Sequence, residues 1–250
     1  MNTLSISNPL PNGPDHFDAA AFTAHALSSP EDLAAVLDHT LLKPDATPAQ
    51  IQKLCEEAIQ FGFATVCINP CNIPQAKKLL SGSPVKVCTV IGFPLGANFT
   101  ATKVEEARRC IDAGAAEVDM VINIGALVAG HDAQVGDEIG QVAEASHSAS
   151  VLVKVILETA LLNEDQKVRG ARLVKNARAD FVKTSTGFAS GGATVDDVRL
   201  LRATVGPSLG VKAAGGIRTY EDVQKMVAAG ATRIGSSSSV KIIEEARQRQ

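Results

Sequence analysis

Short apolar runs alternate with longer amphipathic stretches along most of this 250-residue chain. The runs are Val36–Thr40, 64–69, Val85–Ile91, Glu117–Asn123, Val151–Leu157, Asp180–Thr184, Gly210–Ala214 and Thr232–Ser236. Four to seven apolar residues between turn signals predict buried strands. The stretches between them carry helix punctuation. Thr47-Pro48-Ala49-Gln50 reads as a capping box with proline at the first helical position, and Gly62 as its stop. Thr194-Val195-Asp196-Asp197 and Thr219-Tyr220-Glu221-Asp222 read as further caps. Helices are expected from about 72 to 80, 100 to 114, 133 to 147 and 163 to 177, with a last one after the eighth strand. Eight such units predict a closed parallel (β/α)8 TIM barrel over residues 29–250. A doubly wound sheet is the alternative, but no G-x-G-x-x-G follows the first strand.

Residues 1–28 have little periodicity until Phe17–Leu27, so a loose tail of about a dozen residues and a short helix are expected there. Ser29-Pro30-Glu31-Asp32 then begins a helix as N-cap, proline and acidic first turn.

Three strands break the apolar rule in the same way. Val153-Lys154-Val155-Ile156, Phe181-Val182-Lys183-Thr184 and Val211-Lys212-Ala213-Ala214 each hold one lysine, at equal intervals in the chain. A buried ammonium is costly unless paired or deprotonated. The outer face of a barrel strand packs on helices, so these side chains should point inward together. Alternation adds Asp38 and Thr40 from the first strand, Cys67 and Asn69 from the second, and Glu117 and Asp119 from the fourth. An internal salt-bridge network would explain any single pair. Convergence of so many charged strands points instead to chemistry.

Desolvation and like charge both depress a lysine pKa, so one of these amines is expected to be nucleophilic and to form an imine with a carbonyl. The iminium is an electron sink that permits carbon–carbon cleavage, with a carboxylate such as Asp119 moving protons. Spacing leaves open which lysine reacts. Gly215-Gly216 follows strand seven, and Gly235-Ser236-Ser237-Ser238 follows strand eight and opens a helix. Loops in these places commonly hold a phosphate in such barrels. The serine run alone would equally be a polar turn. Thr186-Gly187 after strand six could join the same pocket.

Other residues carry less. His39 and Asp38 fall on opposite faces, so His39 reads as structural. Cys67 reads as a small buried group. Lys43 and Lys86, near strand ends, read as solvated, and Arg218 as a phosphate contact or a helix ion pair in equal measure.

Net charge is −3 without a basic run, and Trp is absent with one Tyr, so nothing points to nucleic acid. The five cysteines include no C-x-x-C pair or zinc spacing, which predicts reduced thiols and no metal. Met1-Asn2-Thr3-Leu4 lacks the start of a signal peptide, and no apolar run reaches membrane-spanning length. A cytoplasmic protein away from membranes is expected.

The segments Leu37–Pro44, Cys88–Pro94, Glu117–Val121, Lys154–Thr159, Asp180–Gly187 and Lys212–Thr219 closely resemble those of deoxyribose-phosphate aldolases, in order, across about residues 30–245. The resemblance implies a class I aldolase that reversibly cleaves 2-deoxy-D-ribose 5-phosphate to D-glyceraldehyde 3-phosphate and acetaldehyde, without metal or cofactor, in deoxyribonucleoside breakdown. It implies Lys183 as the Schiff-base residue and Lys212 as the group that perturbs its ionisation and assists proton transfer. Asp119 would belong to the proton relay, with Lys154 in a supporting role. Gly187, Gly215, Gly216, Gly235, Ser237 and Ser238 match positions around the substrate phosphate. It also implies a homodimer or homotetramer. Two departures stand out. Some members end in a tyrosine that reaches the phosphate region, whereas this sequence ends Ala246-Arg247-Gln248-Arg249-Gln250 and its only tyrosine is Tyr220. Some carry lysine after the Gly187 position, where this chain has Phe188. Another imine-forming aldolase and a non-catalytic sugar-phosphate-binding barrel are the rival readings.

Overall fold

The computed structural model describes residues 18–249, so the expected loose tail lies outside the described residues. Helix α1 (Ala19–Ala26) is capped by Asp18, whose carboxylate accepts the Ala20 and Ala21 N–H groups. It leans on the helix before the last strand, where the Thr23 hydroxyl donates to Val227 O at 3.3 Å. Helix α2 (Pro30–Ala34) is capped by Ser29 as its sequence requires.

Eight parallel strands follow: β1 (Leu37–Leu41), β2 (Thr65–Ile68), β3 (Lys86–Ile91), β4 (Glu117–Val121), β5 (Leu152–Ile156), β6 (Phe181–Lys183), β7 (Gly210–Ala214) and β8 (Arg233–Ser236). Each pairs with the next and β8 with β1, closing a (β/α)8 TIM barrel. Around it run α3 (Pro48–Phe61), α4 (Ile73–Leu79), α5 (Thr100–Ala113), α6 (Ile124–Val128), α7 (Asp132–His147), α8 (Glu164–Asn176), α9 (Val195–Val205), α10 (Tyr220–Ala228) and α11 (Ser239–Arg247).

The strand alternation explains the layering. Val66, Val118, Val153, Val182, Val211 and Ile234 face outward and are fully buried against the helices. On α3 the partners Ile51, Leu54, Cys55 and Ala58 recur at helical spacing. Burying each such Val, Leu or Ile side chain is worth about 1.5–3 kcal/mol. The residues between them on the strands therefore face the barrel axis.

Two elements depart from the expected pattern. The helix after β2 starts as a 3-10 turn, Pro70–Asn72, because two prolines near its start limit the available N–H donors. The short α6 arises from Ile-Gly-Ala-Leu-Val, a stretch whose glycine hides its helical character. The Asn123 side chain caps it by accepting the Ala126 N–H at 3.0 Å. Among the described residues no helix is long and apolar enough to cross a membrane.

Candidate active site

Every strand delivers a charged or thiol side chain to the axis. They are Asp38 on β1, Cys67 on β2, Cys88 on β3, Glu117 and Asp119 on β4, Lys154 on β5, Lys183 on β6, Lys212 on β7 and Arg233 on β8, all buried. Asp119 is the hub. Its Oδ2 accepts from Lys183 Nζ at 2.8 Å and from Lys212 Nζ at 2.6 Å. Its Oδ1 accepts from Lys154 Nζ at 2.8 Å and from the Cys88 thiol at 3.2 Å. Lys212 also meets Asp38 Oδ2 at 2.5 Å, and Lys154 meets Glu117 Oε2 at 2.6 Å. Arg233 completes the network, with Nη1 2.8 Å from Asp38 Oδ1 and 3.3 Å from Glu117 Oε2. Its guanidinium also lies over the Phe181 ring, 5.6 Å from the centroid.

Burial alone would lower the Lys212 pKa, but Asp119 and Asp38 outweigh it and hold the ammonium above its ordinary value. Lys154 behaves in the same way, its burial overcome chiefly by Asp119. Burial would likewise raise the Asp119 carboxyl, yet the ammoniums of Lys154, Lys183 and Lys212 keep it well below the usual carboxylate range. Neighbouring ammoniums do not depress Lys154 or Lys212 here, because three carboxylates stand among them. Arg233 was also absent from the sequence expectations. A single arginine in a four-residue strand gives little signal, although its place two residues before Gly235 puts it on the inward face.

Two donor sets have metal-ligand proximity: Cys67, Cys88 and Asp119, and Asp38, Cys88 and Glu117, each within 4.8 Å. The same carboxylate oxygens already accept ammonium and guanidinium protons. A metal ion would have to displace those cations while facing the others, so the donor set suits amine chemistry better.

A cavity of about 380 Å³ opens above this network, beyond the C-terminal ends of β1, β6, β7 and β8. Lys183 lines it; Lys154, Lys212 and Asp119 do not. Gly187, Gly215, Gly216, Gly235 and Ser237 also line the cavity. Ser238 does not; it sits at the start of α11, and its N–H donates to Ser236 Oγ at 2.9 Å. Gly215 has φ +89° and an added Cβ would lie 3.0 Å from the Gly192 backbone, so only glycine fits that turn. At Gly235 a Cβ would approach Ala214 Cβ to 3.0 Å and Lys212 Cε to 3.2 Å.

Thr186 on the cavity wall is held from behind by the buried carboxylate of Glu158, which accepts both its N–H and its hydroxyl. The Phe188 N–H in turn donates to Thr186 Oγ1 at 3.0 Å. Glu158 lies in a loop at φ +58°, with no periodicity to reveal it in the sequence. His39 faces away from the axis, its Nε2 2.8 Å from Glu57 Oε2 on α3. Lys86 is exposed; Lys43 is exposed too but lines the cavity, as does Arg218. A larger cavity of about 710 Å³ beside α4 and α5 contains none of the interior charged groups.

The comparisons agree with this geometry. The chain is 55% identical over 215 residues to a deoxyribose-phosphate aldolase of Caldanaerobacter subterraneus, covering 86% of this chain and 93% of that one. It is 57% identical over 213 residues to one from a Geobacillus species, covering 85% and 95%. A solved tetrameric deoxyribose phosphate aldolase from Aeropyrum pernix superposes with TM-score 0.85 at 36% identity, over 95% of this chain and 100% of that one. The model of the DeoC/LacD family aldolases matches residues 33–239, and the chain belongs to that family.

Proposed function

We propose that this protein is a class I aldolase that reversibly cleaves 2-deoxy-D-ribose 5-phosphate to D-glyceraldehyde 3-phosphate and acetaldehyde, with Lys183 as the imine-forming residue. One observation carries the assignment among the three lysines: only Lys183 reaches the cavity wall. It has one carboxylate contact, to Asp119, whereas Lys212 has two, to Asp119 and Asp38.

In its free-amine form Lys183 attacks C1 of the open-chain sugar. The carbinolamine loses water, its hydroxyl protonated by a neighbouring acid for which the charged Lys212 is placed. Removal of the C3 hydroxyl proton breaks the C2–C3 bond, and the electron pair moves through C2 into the iminium as an enamine. The new carbonyl leaves as glyceraldehyde 3-phosphate. Protonation at C2 and hydrolysis then release acetaldehyde and return the amine. Asp119 organises this relay, by way of a water for protons beyond its reach, and Lys154 holds Asp119 in place from the other oxygen. Fixed charges aimed at the reacting centre in a water-poor interior are an effective form of stabilisation. The scheme uses no cofactor or metal.

The phosphate would lie against Gly187, Gly215, Gly216 and Gly235 with Ser237 and Ser238, where α11 begins. Residues 29–250 would form the single catalytic barrel. A cytoplasmic role in deoxyribonucleoside breakdown, as a homodimer or homotetramer, completes the reading. The free cysteines and the tetrameric Aeropyrum relative support it.

Borohydride trapping with 2-deoxyribose 5-phosphate, followed by peptide mass spectrometry, tests the proposal. A reduced adduct on Lys183 is expected. An adduct on Lys212 or Lys154 would overturn the lysine assignment. No adduct, with the sugar phosphate shown to bind, would leave a binding protein instead of an aldolase.

A further inference from the structure

Among the described residues three cationic side chains line the catalytic cavity, Lys183, Lys43 and Arg218, and no Asp or Glu does. Lys183 is committed to Asp119, which leaves two cations facing the opening. Lys43 is fixed at its backbone by its neighbours. It ends the segment leaving β1, and its carbonyl accepts the Ala46 N–H at 3.2 Å. The Asn69 amide, from the end of β2, donates to Leu42 O at 3.1 Å and to Lys43 O at 3.5 Å. Pro44 follows and restricts Lys43 to extended backbone. The chain thus fixes where this side chain starts, while among the described residues its ammonium has no carboxylate partner.

The position matters because β1 closes the barrel against β8, with His39 opposite Ser236. The loop bearing Lys43 therefore lies beside the Ser236–Ser238 turn, at the same end of the cavity as Gly235 and Ser237. The loop after β6 offers no charge there. Phe188 instead packs edge-on against Phe93, with centroids 5.2 Å apart. An ammonium with no carboxylate partner among the described residues, at the rim of a cavity that none of their carboxylates lines, favours an anionic substrate group.

We infer that Lys43 is a specificity-determining residue of this site, its ammonium pairing with the substrate phosphate and selecting phosphorylated over neutral sugars. This rests on the proposed aldolase reading. An ammonium–phosphate contact near solvent is a charge-assisted bond that water screens in part.

The test is the ratio of kcat/KM for 2-deoxyribose 5-phosphate to that for unphosphorylated 2-deoxyribose. In Lys43→Met the ratio should fall about three- to tenfold, through KM for the phosphorylated sugar. Lys43→Arg should restore most of it, and Lys86→Met, at the far end of the barrel, should leave it unchanged. An unaltered ratio in Lys43→Met, or an equal fall in Lys86→Met, would overturn the inference. Calorimetric titration with inorganic phosphate reads the same contact without turnover. Weaker binding by Lys43→Met than by the parent supports it even if neither sugar is cleaved, a result that would remove the aldolase substrate reading alone. Equal phosphate binding by both would overturn it.

Discussion

Lys103 and Glu138 are as dry as the groups on the barrel axis, yet they are built differently. Lys103 Nζ meets Glu138 Oε1 at 2.6 Å and Val121 O at 2.8 Å, and Glu138 Oε2 accepts the Asn123 N–H at 2.9 Å. Each charge has its own partner, and the pair is sealed between α5 and α7. On the axis, one carboxylate serves three ammoniums and the edge of the cluster opens into a cavity. The lysines respond in opposite ways. Burial wins at Lys103 and lowers its pKa despite Glu138, whereas at Lys212 two carboxylates overcome burial and raise it. Burial alone does not distinguish a structural charge from a reactive one. The sharing of partners and access to substrate do.

The sharpest way to break this contrast is Asp119→Asn, which removes the shared anion. Turnover should fall by about 10²–10⁴-fold in a steady-state retro-aldol assay. A loss of less than tenfold would mean that the hub is structural. Lys103→Met should act on the other side of the comparison. Leaving Glu138 buried without its cation should cost about 3–5 kcal/mol in urea unfolding, while the folded enzyme retains its turnover. A large fall in kcat with unchanged stability would erase the distinction.

The smallest effect concerns pH. Burial lowers the His39 pKa despite Glu57, and its Nδ1 has no hydrogen-bond partner among the described residues. The unfolded chain thus binds more protons than the native state below pH about 6.5, so this residue's contribution is lost as pH falls through that region. His39→Phe should flatten the decline in stability between pH 7 and pH 5, measured by denaturant titration. The axial cluster has wider limits. Asp119 is depressed and Lys212 raised, so their contribution is complete between about pH 4 and about pH 10 and declines only outside it.

The barrel was legible in the sequence because two local signals agreed. Strands such as Val153–Ile156 are apolar on one face with a single lysine on the other, and capping pairs such as Thr47 with Gln50 mark the helices between. The inward convergence of Lys154, Lys183, Lys212 and Asp119 followed from alternation. What alternation could not give was the count of opposing charges around each lysine, since these come from strands distant in the chain. Glu158 was missed for a related reason. It sits in a loop, where only the closed fold shows that it buttresses Thr186, and Lys43, exposed as its reading as solvated requires, is shown only there to border the cavity.

The bond between Arg233 and Asp38 joins the last strand to the first. During synthesis, a nascent chain carrying β1 to β7 already holds the three lysines and three acids, but it lacks the strand that shuts the ring and the guanidinium that neutralises Asp38 and Glu117. Domains fold as units while synthesis proceeds at about 5–20 residues per second. Assembly of the reactive amine is therefore expected to wait until β8 has left the ribosome. A truncated product ending before residue 233 would have no dry interior, and so would carry no partly active aldolase into the cell.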